Sequence, residues 1–245
     1  MEKHRSVFEK DITIAPSLCD STAKLSIPGV FSVFMDMAAE HAEEIGCGIG
    51  MIKKRGLFWI TVRTKILVRK LPDLSSHACA VTWPSVPERF RCMRYYLLKQ
   101  GEEVLCEGKT EWAVFDMERN RLSRADSVYP EDLVMEEKTA CDIPFIRSAD
   151  DIPPEHEKAV YTVRSTDIDF GGHMNNAAYI KALFSCLSSS ERSSINVRSM
   201  EAVFRAQTFE NEQLSVRMRD DPDGKDVTFV KEDGRTCFIA RIDTV

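Results

Sequence analysis

The stretch TDIDFGGHMNNAAYI, from Thr166 to Ile180, concentrates groups that can do acid–base chemistry. Asp167 and Asp169 flank an isoleucine; Gly171 and Gly172 follow, then His173, then Asn175 and Asn176, and only then a helix-like run. An imidazole has a reference pKa of about 6.5, so His173 is suited to proton transfer near neutral pH. Asp169 can orient that ring or accept a proton itself. The opening amides of a helix lack partners within the helix and carry partial positive charge. Such a helix end can stabilise the oxyanion of a tetrahedral intermediate, where loss of one donor costs about 3 kcal/mol. Gly171 and Gly172 allow the backbone to approach a substrate closely. Plainer roles compete: Asn175 or Asn176 serves as a helix N-cap, and Asp167 caps a turn.

These groups need elements to hold them. The clearest strand is LFWITVRTKILVRK, Leu57 to Lys70. At a period of two, Phe58, Ile60, Val62, Thr64, Ile66 and Val68 share one face. Trp59, Thr61, Arg63, Lys65, Leu67 and Arg69 share the other. A strand from Val7 to Ile14 precedes it. So does a helix over 28–45, with Pro28 in the first turn, Gly46 at the stop, and Phe31, Phe34, Met35 and Ala38 on one apolar face. Further strands are expected at HACAVTW, RCMRYYLLK and VLCEGKTEWAVFD, with Gly101-Glu102 in a hairpin turn.

The second half repeats the order. A strand through AVYTVRS leads to a helix over 176–187. Strands follow at VRSMEAVFRA, QLSVRMR, DVTFVKE and TCFIARI, with tight turns at Asp223-Gly224 and Asp233-Gly234. Strand, long helix and antiparallel strands form an α+β unit. A long helix wrapped by a curved antiparallel sheet is a hotdog unit, and two in one chain make a tandem (double) hotdog. The expected division is an N-terminal unit over 1–130, a surface linker over 131–157 rich in acids and prolines, and a C-terminal unit over 158–245. Aligning the halves pairs Asp20 with Asp167, Thr22 with Asp169 and Ser26 with His173. In that register the first half lacks both the carboxylate and the imidazole.

Composition bounds the function. With 43% hydrophobic and 29% charged residues over 245 positions, the chain is an ordinary globular protein. A net charge of -6 argues against a general nucleic-acid binder. No apolar run approaches the roughly 18 residues that span a bilayer, and MEKHRSVFEKDITI lacks the apolar core of a signal peptide. The eight cysteines are scattered without a C-x-x-C pair, which fits buried, reduced thiols rather than a zinc site. A cytoplasmic location is the expectation.

The motifs resemble those of the acyl-acyl carrier protein thioesterases. That family carries a block like D-x-D-x-N-x-H-x-N-N-x-x-Y before its second helix, and DIDFGGHMNNAAY stands here. LFWITVRTKILVRKLP and EGKTEWAVFDMERNRLSR resemble two further family segments. The resemblance implies that the catalytic aspartate falls on Asp169 and the histidine on His173. The family's asparagine falls on Gly171. Its glutamate, on the next long strand, falls on Gln207 within FRAQTFENE. Hydrolysis of fatty acyl thioesters is implied, with acyl carrier protein as the carrier and no metal or organic cofactor. In that scheme Asp169 or His173 acts as the base. Gln207 positions the water, since an amide cannot take its proton. Gly171, Gly172, Asn175 and Asn176 contact the substrate. Acyl-CoA hydrolysis and non-catalytic acyl binding are the alternatives, and a homodimer is left open.

One charge pattern bears on the partner. From Ile45 to Pro72 there is no acidic residue, while Lys53, Lys54, Arg55, Arg63, Lys65, Arg69 and Lys70 all fall there. Acyl carrier proteins are acidic, so Arg63, Lys65 and Arg69, on the polar face of one strand, are candidates for docking. An exposed strand that uses Lys to discourage edge pairing is the structural alternative.

Overall fold

A computed structural model describes residues 6–146 and 149–245. Residues 1–5, the start of MEKHRSVFEKDITI, and residues 147–148 of the expected linker lie outside the described residues. The chain divides into two compact units, Met1–Ile143 and Pro144–Val245.

In the first unit, strand β1 (Phe8–Thr13) leads to helix α1 (Ile27–Glu44) and the short helix α2 (Ile49–Lys54). Strands β2 (Leu57–Val68), β3 (His77–Pro84), β4 (Arg91–Gln100), β5 (Glu103–Asp116) and β6 (Arg121–Ser123) follow. The sheet runs β1-β3-β4-β5-β2 with every pair antiparallel, and β6 pairs with β5. Ser26 caps α1 by accepting from the Gly29 amide at 3.0 Å, and Pro28 fits the first turn, where its missing N–H is no loss. Ile27, Val30, Phe31, Phe34, Met37 and Ala38 form the buried face of α1. Phe34 stacks on Tyr96 at 4.9 Å and lies so close to Gly108 that a Cβ there would sit 2.6 Å from the ring. Glycine at 108 is therefore what lets α1 seat on β5.

In the second unit, β7 (Glu157–Thr162) leads to α3 (Asn176–Ser185) and α4 (Ser189–Ser194). Strands β8 (Val197–Phe204), β9 (Gln213–Asp221), β10 (Gly224–Lys231) and β11 (Thr236–Thr244) complete it. Its sheet runs β7-β9-β10-β11-β8, again antiparallel. Counted within each unit, the first, third, fourth, fifth and second strands are neighbours in both. The same unit is thus built twice. Tyr179 of α3 stacks on Phe238 at 5.2 Å, and Phe204 and Phe229 close the aromatic core around it. Among the described residues, no helix is long and apolar enough to cross a membrane.

One sequence expectation is corrected. The period of two along β2 breaks at a bulge between Thr61 and Arg63, which changes the faces that later side chains take. Thr64, Lys65 and Ile66 are consecutively buried, with Lys65 only 1% exposed. The expected linker over 131–157 is mostly exposed and is anchored at a few points. Its first part packs on the N-terminal unit: Leu133 joins Ile45 and Cys47, Ala140 packs on Val81 and Trp83, and the Trp83 indole donates to the Lys138 carbonyl at 2.8 Å. In its second part Ile152 is buried, and its carbonyl accepts from Arg217 at 3.0 Å. The apolar residues scattered among the acids and prolines account for this.

Candidate active site

The site is a loop between β7 and α3, fastened at each end. Where β7 ends, the Val163 amide donates to the Glu212 carbonyl and its own carbonyl accepts from Asn211. The Asp167 carboxylate then accepts from the Arg164 amide and from the Tyr161 hydroxyl, both at 2.8 Å. Burial, and then that bond to Asp167, push the Tyr161 phenol up to about 12, so it remains a donor at ordinary pH. The Asp167 carbonyl accepts from the Asn175 amide at 2.8 Å, which closes the loop from 167 to 175. Asp167 therefore has the turn-capping role.

Inside that loop the Asp169 amide donates to the His173 carbonyl, and the Gly172 amide donates back to the Asp169 carbonyl, both at 3.0 Å. The Asp169 carboxylate accepts from the Gly171 amide at 2.7 Å. Gly172 takes φ of +78°, a conformation in which a side chain is strained, while Gly171 is not among the positive-φ residues. The loop brings Asp169 and His173 together: Oδ1 lies 4.0 Å from Nδ1, and both side chains are largely covered. His173 Nδ1 also faces the Met174 carbonyl at 3.3 Å. A carbonyl only accepts, so in the neutral ring this contact places the proton on Nδ1 and the lone pair on Nε2.

The helix mouth differs from its expected form. Both glycine amides are committed to Asp169, so neither is a free oxyanion donor. Asn175 is the N-cap, its side chain accepting from the Ala177 amide at 2.8 Å. The first helical amide, that of Asn176, has no partner among the described residues and is the donor left for an oxyanion.

Gln207 is not on a strand. β8 ends at Phe204, and Gln207 is exposed in the segment that follows. That segment borders the site because the Thr208 carbonyl accepts from the Met174 amide at 2.8 Å. Two groups missed by sequence reasoning hold it there. The Tyr179 hydroxyl meets Thr208 Oγ1 at 2.8 Å, and Lys231 Nζ donates to the Gln207 carbonyl at 3.0 Å while pairing with Glu212 at 2.9 Å. No local motif marks Lys231, which comes from β10 and reads as an ordinary strand lysine.

The equivalent loop of the first unit corrects the alignment of the halves. There the Asp20 carboxylate accepts from the Thr22 amide at 2.8 Å, the Ala23 amide donates to the Asp20 carbonyl, and the Asp20 amide donates to the Lys24 carbonyl. The bridge Cys19–Leu25 matches Ile168–Met174, and Ser26 caps α1 as Asn175 caps α3. The bonds thus pair Asp20 with Asp169, Lys24 with His173 and Ser26 with Asn175. The first unit keeps the carboxylate and lacks the imidazole. The aspartate is retained because it builds the turn in both copies.

Of the residues expected to bind a partner, Lys65 is buried and is unsuitable for docking. Arg63 pairs with Glu111, its Nε at 2.8 Å and Nη2 at 2.6 Å from Oε2. Arg69, more exposed, is held by Glu107 at 2.5 Å.

Two tandem units of this topology place the chain in the double hotdog class of α+β folds. Solved structures of that class superpose on its full length. An acyl-ACP thioesterase (ACP, acyl carrier protein) from Bacteroides thetaiotaomicron gives a TM-score of 0.89 at 16% identity over 100% of both chains. The 12:0-ACP thioesterase from Umbellularia californica gives 0.81 at 18% identity over 98% of this chain and 97% of that one. At such identities the likeness concerns the fold. The family model for the acyl-ACP thioesterase N-terminal domain matches residues 5–132, and that for the C-terminal domain matches residues 152–234. The chain belongs to the acyl-ACP thioesterase family. Among curated relatives, the chloroplastic oleoyl-acyl carrier protein thioesterase of Coriandrum sativum is 24% identical over 173 residues, covering 63% of this chain and 47% of that protein. The palmitoyl-acyl carrier protein thioesterase of Gossypium hirsutum is 24% identical over 191 residues, covering 71% and 45%. The chain spans about half the length of these relatives.

Proposed function

We propose that the chain hydrolyses fatty acyl thioesters of acyl carrier protein, releasing a free fatty acid and the carrier thiol. The observation that carries this is His173 with its Nδ1 against the Met174 carbonyl and Asp169 nearby, at the mouth of α3. Nε2 takes a proton from water as the water oxygen bonds to the thioester carbonyl carbon. The Asn176 amide stabilises the oxyanion, aided by the helix dipole. When the C–S bond breaks, the imidazolium returns its proton to the departing sulfur. Asp169 stabilises the imidazolium between those steps, and Gln207 orients the water without taking its proton. Gly171 and Gly172 keep the loop low enough for the carbonyl to reach His173.

The carrier-docking role narrows to Arg63 and Arg69, joined by the exposed Lys53 and Lys54 of α2. Their charge complements an acidic carrier. Eight thiols without a disulfide support a reducing, cytoplasmic setting. A second reading, acyl binding without turnover, is favoured by one feature: glycine and glutamine stand where the family pattern has asparagine and glutamate.

Matched acyl carrier protein and acyl-CoA thioesters, C8 to C18, separate these readings. Thiol release from the carrier-bound series, faster than from CoA and weakened by salt, is the expected result. Equal rates on both carriers at every salt concentration contradict the choice of carrier. Tight acyl binding without thiol release supports the second reading.

A further inference from the structure

The two copies of the loop form a comparison within one chain. Both share the aspartate turn, a positive φ at Ala23 (57°) or Gly172 (78°), and a side-chain N-cap. The neighbouring segments also correspond. The Leu25 amide donates to the Pro72 carbonyl as Met174 donates to Thr208, and Ser75 (φ 64°) donates to Ile14 as Asn211 (φ 68°) donates to Val163. Whatever the loop needs for its shape is common to both copies. What differs is available for function.

Two of the differences are aromatic. Phe170 stands where the first unit has Ser21, and Phe209 where it has Asp73. Phe170 is 62% exposed and Phe209 48%. Among the described residues, the next most exposed phenylalanine is Phe90, at 37%. Water-facing aromatic rings that the fold does not require mark a contact surface. Phe170 follows Asp169 directly, and Phe209 follows Thr208, whose carbonyl holds Met174 beside His173. Phe209 is also fixed in place. Lys231 Nζ lies 5.6 Å from its ring centroid, and its amide donates to Glu212 at 3.2 Å.

A thioester has two arms. The acyl arm is apolar and suits a buried slot. The thiol arm of a carrier, a chain of methylene and amide groups, approaches from solvent. We infer that Phe170 and Phe209 bind the amide-containing thiol arm of the substrate, packing their faces on its methylene and amide planes and presenting the carbonyl to His173. This rests on the thioesterase reading above. It makes the two rings specificity residues for the thiol side, not for acyl chain length.

The test varies the arm and the rings together. One acyl group is presented on pantetheine and on N-acetylcysteamine, which lacks most of the arm. For the wild type, kcat/KM should fall at least about 10-fold on truncation, through KM. For F170A/F209A the two donors should differ by less than about 2-fold. F90A serves as a control and should behave as wild type. A variant that retains the wild-type ratio overturns the inference. So does a loss that grows with acyl length, or one confined to carrier-protein substrates. Calorimetric binding of an S-alkyl pantetheine thioether keeps the inference separable from turnover. If the wild type binds it but hydrolyses nothing, the hydrolase reading fails. Weaker binding by F170A/F209A would then still support the contact, and equal binding would overturn it.

Discussion

His173 and Asp169 differ in what their positions require of them. Asp169 has a counterpart in Asp20, which makes the same amide bond in a unit with no imidazole. Its conservation between the copies is explained by the turn, and its chemistry depends on lying 4.0 Å from His173 Nδ1. Asp169→Asn preserves the acceptor for Gly171 and removes the charge. It should fold with an unchanged Tm and lose turnover about 10-fold or more, as expected when an imidazolium loses its stabiliser. Full activity in that variant would reduce Asp169 to a turn residue. At Gly171 and Gln207 the family pattern can be restored. Gly171 does not need positive φ, so Gly171→Asn with Gln207→Glu should fold and raise kcat, because a carboxylate accepts a proton and an amide does not. An unchanged or lower kcat in a folded double variant would show that these positions do not limit the rate.

The elements bear on the site through their ends. Asn175 caps α3, and Asn175→Ala should cost about 1 kcal/mol of stability, read as a lower denaturant midpoint. Tyr179→Phe should cost about as much, since Thr208 loses its partner, and should raise mobility in 205–209 by hydrogen exchange. Equal exchange in that segment would remove Tyr179 as its fastener. The long elements were legible from apolar spacing, and α1 was displaced from expectation by a single residue. Short ones were not: α2, α4 and β6 are too brief for a periodic signal. α4 did offer a cue in Ser188 and Glu191, a capping box at the usual spacing. The bulge in β2 could not be read, because an extra residue in one strand is defined by its partner strand. Lys65 keeps the face of Arg63 beyond the bulge, yet it is buried there, and a strand's own pattern does not show what covers its polar face.

At the scale of the whole molecule, the duplicated strand order was visible in the sequence, whereas the register of the two loops was not. Identity of residue type aligned Asp20 with Asp167. Only the bonding pattern pairs it with Asp169. The thiols report on the fold as a whole. Burial pushes Cys47, Cys106 and Cys237 up to about 12 from an ordinary 9.0. A thiol raised in the folded state contributes stability that is whole below its unfolded value and is lost as pH climbs from about 9 toward 12. Alkaline unfolding should begin in that window. At pH 8 the half-buried Cys19, Cys79 and Cys186 should alkylate before the buried five. Rapid labelling of Cys106 in the native protein would contradict the packing. The central claim is that His173 makes the C-terminal loop a thioester hydrolase. Its most direct test is the rate of thiol release from acyl carrier protein thioesters by wild type and His173→Ala side by side. The account predicts measurable release by the wild type and at least about 100-fold less by the variant at an unchanged Tm; equal rates from the two proteins, or none from either, would contradict it.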